Sequence, residues 1–267
     1  MAGEHALSDA AAAATYERAD HVATITYNRP ERLNAINGAM RVALNAAWQA
    51  FLGDDEAWVA IVTGAGRAFC AGADMREGGS IGEFPGSFFE MPTVNSFESG
   101  LEVWKPTIAA VGGYCIGYGL TAAAACDFVI AADDAEFAMP EVRLGSPTIV
   151  GAIRLPRRIP NFQHALELLL TGERIDAARA LEIGLVSRVV PRSELLDAAR
   201  DLATRLCAGA PLAVRAVKEM AYRGQEMHWT EAVRFGETLR RYVGGTDDAR
   251  EGMRAATEGR APVWTGH

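Results

Sequence analysis

The chain has 267 residues, 49% of them apolar and 22% charged, enough for one large globular domain or a domain with an appendage. Its formal net charge of −8 argues against a nucleic-acid-binding face. No window approaches the roughly 18 uninterrupted apolar residues that span a bilayer.

Cys70, Cys115, Cys126 and Cys207 stand among small or apolar neighbours without zinc-ligand spacing, so reduced, buried thiols are expected and no metal site. The acidic, alanine-rich start carries no basic or arginine-rich targeting pattern, and a cytoplasmic protein is expected. Residues 16–18 and 22–27 read as a hairpin turning at 19–21, and Asn28-Arg29-Pro30 ends its second strand. Residues 38–51 set Met40, Ala43, Leu44, Ala47, Trp48 and Phe51 at helical spacing, a core face with no chemistry of its own. An apolar strand follows at 58–63. Residues 75–101 differ in texture: Gly78-Gly79, Gly82 and Pro85-Gly86 break regular structure, while Phe84, Phe88, Phe89 and Met91 add apolar bulk. So long an irregular stretch either serves a site or packs as a surface loop.

Further strands are expected at 104–111, 127–132, 136–138 and 184–190, with helices at 161–172 and 176–184. That alternation implies a largely parallel sheet with right-handed crossovers. From 193 onward the pattern is helical, in segments 194–208, 211–222, 230–242 and 247–258. These carry Leu195, Leu202, Leu206, Val214, Val217, Met220, Val233 and Leu239, more apolar surface than a small appendage hides alone. The expected division is therefore 1–192 as a core and 193–267 as a helical oligomerisation region.

Two glycine turns stand out. Residues 111–127, Val-Gly-Gly-Tyr-Cys-Ile-Gly-Tyr-Gly-Leu-Thr-Ala-Ala-Ala-Ala-Cys-Asp, read as a strand end, a turn at Gly117 and Gly119, and a helix of small residues. A helix opening at such a turn presents unpaired N–H groups and the positive end of its dipole. That setting suits an anion, or an oxygen that becomes anionic. It also suits a tight turn packed inside a core. Residues 60–74, Ala-Ile-Val-Thr-Gly-Ala-Gly-Arg-Ala-Phe-Cys-Ala-Gly-Ala-Asp, repeat the pattern of strand, glycine turn and small-residue approach.

Together the two segments resemble the crotonase family, the enoyl-CoA hydratase and isomerase superfamily, over about residues 16–266. The resemblance implies an α/β spiral of strand–strand–helix units, shared with Clp-type proteases, followed by a C-terminal helical region. It implies an enzyme acting on acyl-CoA thioesters, as in fatty acid metabolism, with coenzyme A entering as part of the substrate and no separate cofactor. The backbone N–H groups of Ala73 and Tyr118 take the oxyanion-hole roles; tyrosine replaces the usual glycine at 118, but the backbone donor survives. Arg32 is marked as a phosphate contact and Ala71 as a backbone contact to adenine, with Leu33, Ala35, Gly72, Asp74 and Gly117 in the same binding segments. Family members assemble as homotrimers or dimers of trimers. The C-terminal lysine that often comes from a neighbouring subunit is Gly259 here, beside Arg260.

An oxyanion hole moves no protons, so an acid or base is needed near the α-carbon. Met139-Pro140-Glu141 matches the family's Pro-Glu segment and makes Glu141 the proton shuttle. Burial would raise its pKa toward neutrality. Thr121 departs from the pattern, because typical hydratases carry a second glutamate there. Threonine donates and accepts a hydrogen bond but takes up no proton at useful pH. Hydration and double-bond isomerisation both remain open, as do thioester hydrolysis and C–C cleavage. Residues 145–151 read as a loop one residue shorter than in a typical hydratase. No serine nucleophile follows the glycine turn, which removes the protease reading. The competing class is an acyl-CoA-binding subunit without catalysis, favoured by Thr121 and opposed by Glu141.

Overall fold

The computed structural model describes residues 13–77 and 96–267. Its strands are β1 (Ala14–Ala19), β2 (Val22–Tyr27), β3 (Val59–Gly64), β4 (Ala68–Cys70), β5 (Thr107–Val111), β6 (Tyr114–Ile116), β7 (Phe128–Ala132), β8 (Glu136–Ala138), β9 (Ile175–Asp176) and β10 (Arg188–Val190). Its helices are α1 (Gly38–Gly53), α2 (Tyr118–Ala125), α3 (Val150–Arg158), α4 (Phe162–Thr171), α5 (Ala177–Glu182), α6 (Leu195–Cys207), α7 (Pro211–Arg223), α8 (Trp229–Gly244) and α9 (Asp247–Glu258).

A six-stranded sheet runs in the order β1-β2-β3-β5-β7-β10. The β1–β2 hairpin is antiparallel and every other pairing is parallel. Parallel strands are covered on both faces, which explains why β5 is buried at every position instead of alternating. On one face, α1 sends Met40, Leu44, Trp48 and Phe51 into a core with Ile25, Val62 and Phe69. The Asn37 side chain starts that helix by accepting from the Met40 N–H at 2.9 Å. On the other face, α6 sets Leu195, Ala199 and Ala203 against Ile61, Ile108 and Ile130. Leu195, counted from sequence among the surplus apolar residues of the C-terminal helices, is therefore a core residue, 4% exposed.

A second sheet, β4-β6-β8-β9, positions the site. Strands β4, β6 and β8 are parallel and in close register, Cys70 beside Cys115 and Ile116 beside Ala138. Their C-terminal ends therefore lie side by side. The chain leaves them as Ala71-Gly72-Ala73, Gly117-Tyr118 and Met139-Pro140-Glu141. All three sequence-marked turns meet along one sheet edge, the place where parallel sheets open a crevice.

Some expectations change. Residues 150–158 form α3, which the sequence reading took in part as loop; Pro156 and three arginines mask its helical pattern. The long stretch at 75–101 contributes single 3-10 turns at Met75–Glu77 and Phe97–Ser99. Phe84, Phe88, Phe89 and Met91 lie outside the described residues. All four cysteines are free, and Cys207 is partly exposed where Cys70, Cys115 and Cys126 are buried. No helix among the described residues is long and apolar enough to cross a membrane.

Candidate active site at three strand ends

The first turn is held by short-range geometry. Ile36 pairs with Ala73 as a parallel bridge: the Ile36 N–H donates to Gly72 O at 2.8 Å, and the Asp74 N–H to Ile36 O at 2.9 Å. In such a bridge the intervening residue faces the other way, so the Ala73 N–H points away from Ile36. Among the described residues no acceptor lies on it. Asp74 accepts from Arg29 at 3.1 Å, with only 9% and 15% of the two side chains exposed. The Arg29 guanidinium also donates to Ala35 O at 2.6 Å. Asn34, fully buried at a φ of 56°, donates to Ala65 O and Ala68 O and accepts from the Arg29 N–H. These ties fix residues 33–36 against 71–74, and the Ala71 N–H donates to Leu33 O at 3.0 Å.

The second turn packs on the first. Gly72 has a φ of +93°, and a methyl there would stand 3.1 Å from Ile116 O and 3.9 Å from Tyr118 N. Gly117 combines a φ of 54° with a ψ of −116°, a backbone shape that only glycine adopts at ease. It lets the chain leave β6 and enter α2 within one residue. Its N–H donates to Ala138 O at 2.8 Å, which fastens the turn to β8. Tyr118 is the first residue of α2, and its N–H has no acceptor among the described residues. The Tyr118 hydroxyl donates to the carboxylate of Glu98, a side chain only 6% exposed. The Ser96 hydroxyl donates to the same oxygen. The Arg41 guanidinium lies 5.3 Å from the Tyr118 ring centre. Burial, reinforced by the Glu98 charge, raises the Tyr118 pKa and keeps the phenol protonated.

The third turn brings the carboxylate. Pro140 opens a single 3-10 turn, Pro140–Leu144, closed by Gly145 in a left-handed conformation. A methyl on Gly117 would stand 2.7 Å from Glu141 Oε1, so the carboxylate rests against the bare α-carbon of the second turn. Glu141 Oε2 is buried and has no hydrogen-bond partner among the described residues. Burial raises its pKa above the usual 4.5, offset in part by a hydrogen bond from its own N–H. A carboxylate with a spare lone pair and a raised pKa is suited to taking a proton and giving it back.

Thr121, one turn into α2, is 5% exposed, and its hydroxyl donates to Gly117 O at 3.3 Å. Arg32 is exposed at the end of the Pro30–Arg32 turn, next to Leu33 at a φ of 51°. Sequence reasoning missed Arg29 and Glu98. The spacing Arg29…Asp74 carries no periodic signal, and Glu98 sits in the stretch read as irregular.

The fold closely matches solved structures. It superposes on an enoyl-CoA hydratase from Mycobacterium tuberculosis with a TM-score of 0.86 at 36% identity, covering 96% of this chain and 100% of that one. An enoyl-CoA hydratase from Bacillus anthracis gives 0.86 at 31% identity, covering 96% and 100%. In sequence, the chain is 38% identical over 254 residues to (E)-benzylidenesuccinyl-CoA hydratase of Thauera aromatica, covering 94% of this chain and 98% of that protein. It is 40% identical over 248 residues to carnitinyl-CoA dehydratase of Salmonella typhi, covering 91% and 94%. Residues 17–267 match the family model described as enoyl-CoA hydratase/isomerase, and the chain belongs to that family, within the crotonase superfamily.

Proposed function

We propose that the chain adds water to the Cα=Cβ bond of an enoyl-CoA, and removes it in reverse, with Glu141 as the carboxylate that moves the proton. The observation that carries this reading is Glu141 itself: one oxygen rests on Gly117 and the other has no partner among the described residues, beside two turns whose Ala73 and Tyr118 N–H groups have no acceptor among the same residues. The Ala73 and Tyr118 N–H groups hold the thioester oxygen and take up its charge as an enolate forms. The water oxygen bonds to Cβ while Glu141 accepts a water proton. The Cα=Cβ electron pair moves to the thioester as enolate, and Glu141 then returns the proton to Cα. Two relatives named hydratase and dehydratase favour water chemistry.

Arg32 contacts a coenzyme A phosphate through its planar donor fork. Leu33, Ala35, Ala71 and Gly72 line the same cofactor path, and Asp74 contributes through its tie to Arg29. The exposed apolar residues Val217, Trp229, Val233 and Tyr242 on α7 and α8 fit a homotrimer, or a dimer of trimers, built through the C-terminal helices. A monomeric mass in solution at micromolar concentration would refute that assembly.

The test is Glu141→Gln, assayed for hydration of crotonyl-CoA. Loss of about two to four orders of magnitude in kcat is expected, with coenzyme A binding unchanged. Near-normal turnover would put the base elsewhere. Thr121 supports a second reading, double-bond isomerisation, which needs one carboxylate only. The ratio of 2-enoyl-CoA hydration to 3-enoyl-CoA isomerisation decides between them.

A further inference from the structure

Helix α2 opens with the Tyr118 donor but has little of its own to hold that donor still. Beyond Thr121 it is alanine at all four positions 122–125, so no side chain there ties it to a neighbour by hydrogen bond or charge. On one flank Ala124 borders a cavity of about 740 Å³, and apolar packing does not back that side either. Helix α3 supplies the ties. Gly151 lets it come close, since a methyl there would stand 1.9 Å from the Met139 methyl and 3.3 Å from the Thr121 hydroxyl. Arg154 and Arg158 follow, four residues apart and therefore on one face of α3. Both are half-buried and line the same cavity. Arg154 Nε donates to Glu98 O at 2.9 Å, and the Glu98 carboxylate is what accepts from the Tyr118 hydroxyl. At the other end, both terminal nitrogens of Arg158 donate to Cys126 O, at 2.8 and 3.1 Å, and one also donates to Asp127 O at 3.0 Å. Cys126 is the C-terminal cap of α2. The Asp127 side chain is fixed in turn by the Thr107 N–H and by Lys218, each at 2.7 Å.

The choice of partners sets these two arginines apart from those around them. Arg157, between them on α3, pairs with Glu226, and Arg223 across the cavity pairs with Glu102. Arg154 and Arg158 give their hydrogen bonds to backbone carbonyls instead. Arg158 Nε is buried without a partner among the described residues, which costs stability. A cation at the carbonyl end of a helix also complements the dipole whose positive end carries the Tyr118 N–H. We infer that Arg154 and Arg158 are positioning residues for the Tyr118 N–H, gripping the two ends of α2 from one face of α3. This rests on the reading above in which that N–H holds the thioester oxygen. In this role neither arginine touches substrate; each acts through α2, Arg154 by way of Glu98.

The experiment uses the whole enzyme with butyryl-CoA, which has no double bond to hydrate, labelled with carbon-13 at the thioester carbonyl. Hydrogen bonds lower a carbonyl's stretching frequency, so the infrared band of the bound thioester reads the grip of the N–H donors directly. Arg158→Met keeps the stem and removes the donors. Its band should move back toward that of free butyryl-CoA, and kcat for crotonyl-CoA hydration should fall about threefold to tenfold at unchanged KM. Arg158→Lys, which keeps a charged donor, should recover part of both. Arg154→Met should repeat the pattern from the other end. A wild-type band in folded Arg158→Met and Arg154→Met would overturn the assignment, whatever stability they lose. So would a raised KM with kcat intact, which would place the arginines in substrate binding. If the Met variants do not fold, Arg158→Gln and Arg154→Gln, each keeping one neutral donor, take their place with the same two outcomes. A wild-type band no lower than that of the free thioester would instead sink the oxyanion reading itself, and the two failures are thus distinct.

Discussion

The two halves of the proposed site, the N–H donors assigned to the oxyanion and the carboxylate assigned to proton transfer, are built in opposite ways. The oxyanion half is tied down: Ala73 sits in a backbone bridge backed by the buried Arg29–Asp74 pair and Asn34, and Tyr118 is anchored through its hydroxyl to buried Glu98. The proton half is lightly held. Glu141 rides on a single 3-10 turn among exposed neighbours, with Leu144 62% and Ile149 64% exposed, and one of its oxygens has no partner among the described residues. The contrast follows the chemistry. Charge stabilisation requires donors already in place, whereas proton transfer requires a lone pair that is not occupied. Rigidity and readiness are divided between neighbouring strand ends.

Joining the halves should cost the most. Gly117 is where they touch, and Gly117→Ala would force a methyl to 2.7 Å from Glu141 Oε1 at a φ of 54°. Turnover should fall on the order of a hundredfold or more, as for a displacement of about 1 Å at reacting groups. Circular dichroism must show an intact fold for the comparison to count. Wild-type kcat with a folded protein would mean that Glu141 moves aside freely, and the contact between the halves would have no functional weight.

The pH profile probes the proton half alone. In the proposed hydration Glu141 acts ionised, and burial raises its pKa above the usual 4.5. Activity is therefore full above the raised pKa and is lost as pH falls through it. The acid limb of kcat should lie at higher pH than for an ordinary carboxylate, and Glu141→Gln should remove it. A limb at the ordinary carboxylate position would show that bound substrate cancels the burial effect.

The oxyanion half is tested through stability. Asp74→Ala leaves the Arg29 charge largely buried without its carboxylate, a loss of about 3–5 kcal/mol for a fully buried pair and less for one partly open to water. Denaturant unfolding measures it. Replacing both residues together should recover part of the loss, since no orphaned charge remains.

How much of this was legible beforehand depended on the range of the interaction. Local signals gave the strands, the long helices and the three turns, because glycine and proline positions and apolar spacing are written along the chain. Glu141 and the N–H donors were legible only through resemblance, since their neighbours come together across the β4-β6-β8 register. Ties between distant residues left no trace: Arg29 reaches Asp74 across 45 positions and Tyr118 reaches Glu98 across 20. Helix α3 was obscured by Pro156, which sits near its end where a missing N–H is tolerated by the loss of one bond.

The smallest effect, and the sharpest test of the contrast, concerns the Tyr118 side chain. Its backbone N–H survives any substitution, so a change at the ring tests anchoring and nothing else. Tyr118 stands between Gly117 and Gly119, two residues that give the backbone little stiffness of its own. The hydroxyl bond to Glu98 and the Arg41 guanidinium over the ring supply what the glycines do not. Tyr118→Phe keeps the ring and removes the bond. It should lower kcat by about threefold to tenfold with KM unchanged, the scale of one hydrogen bond acting through position and not contact. Glu98→Gln keeps an acceptor for the phenol and should lose less. Stability should fall in the first variant, because Glu98 stays buried with one donor fewer. If Tyr118→Phe loses stability but keeps its kcat, the start of α2 holds the donor unaided. The rigid half of the site would then be rigid through its backbone alone.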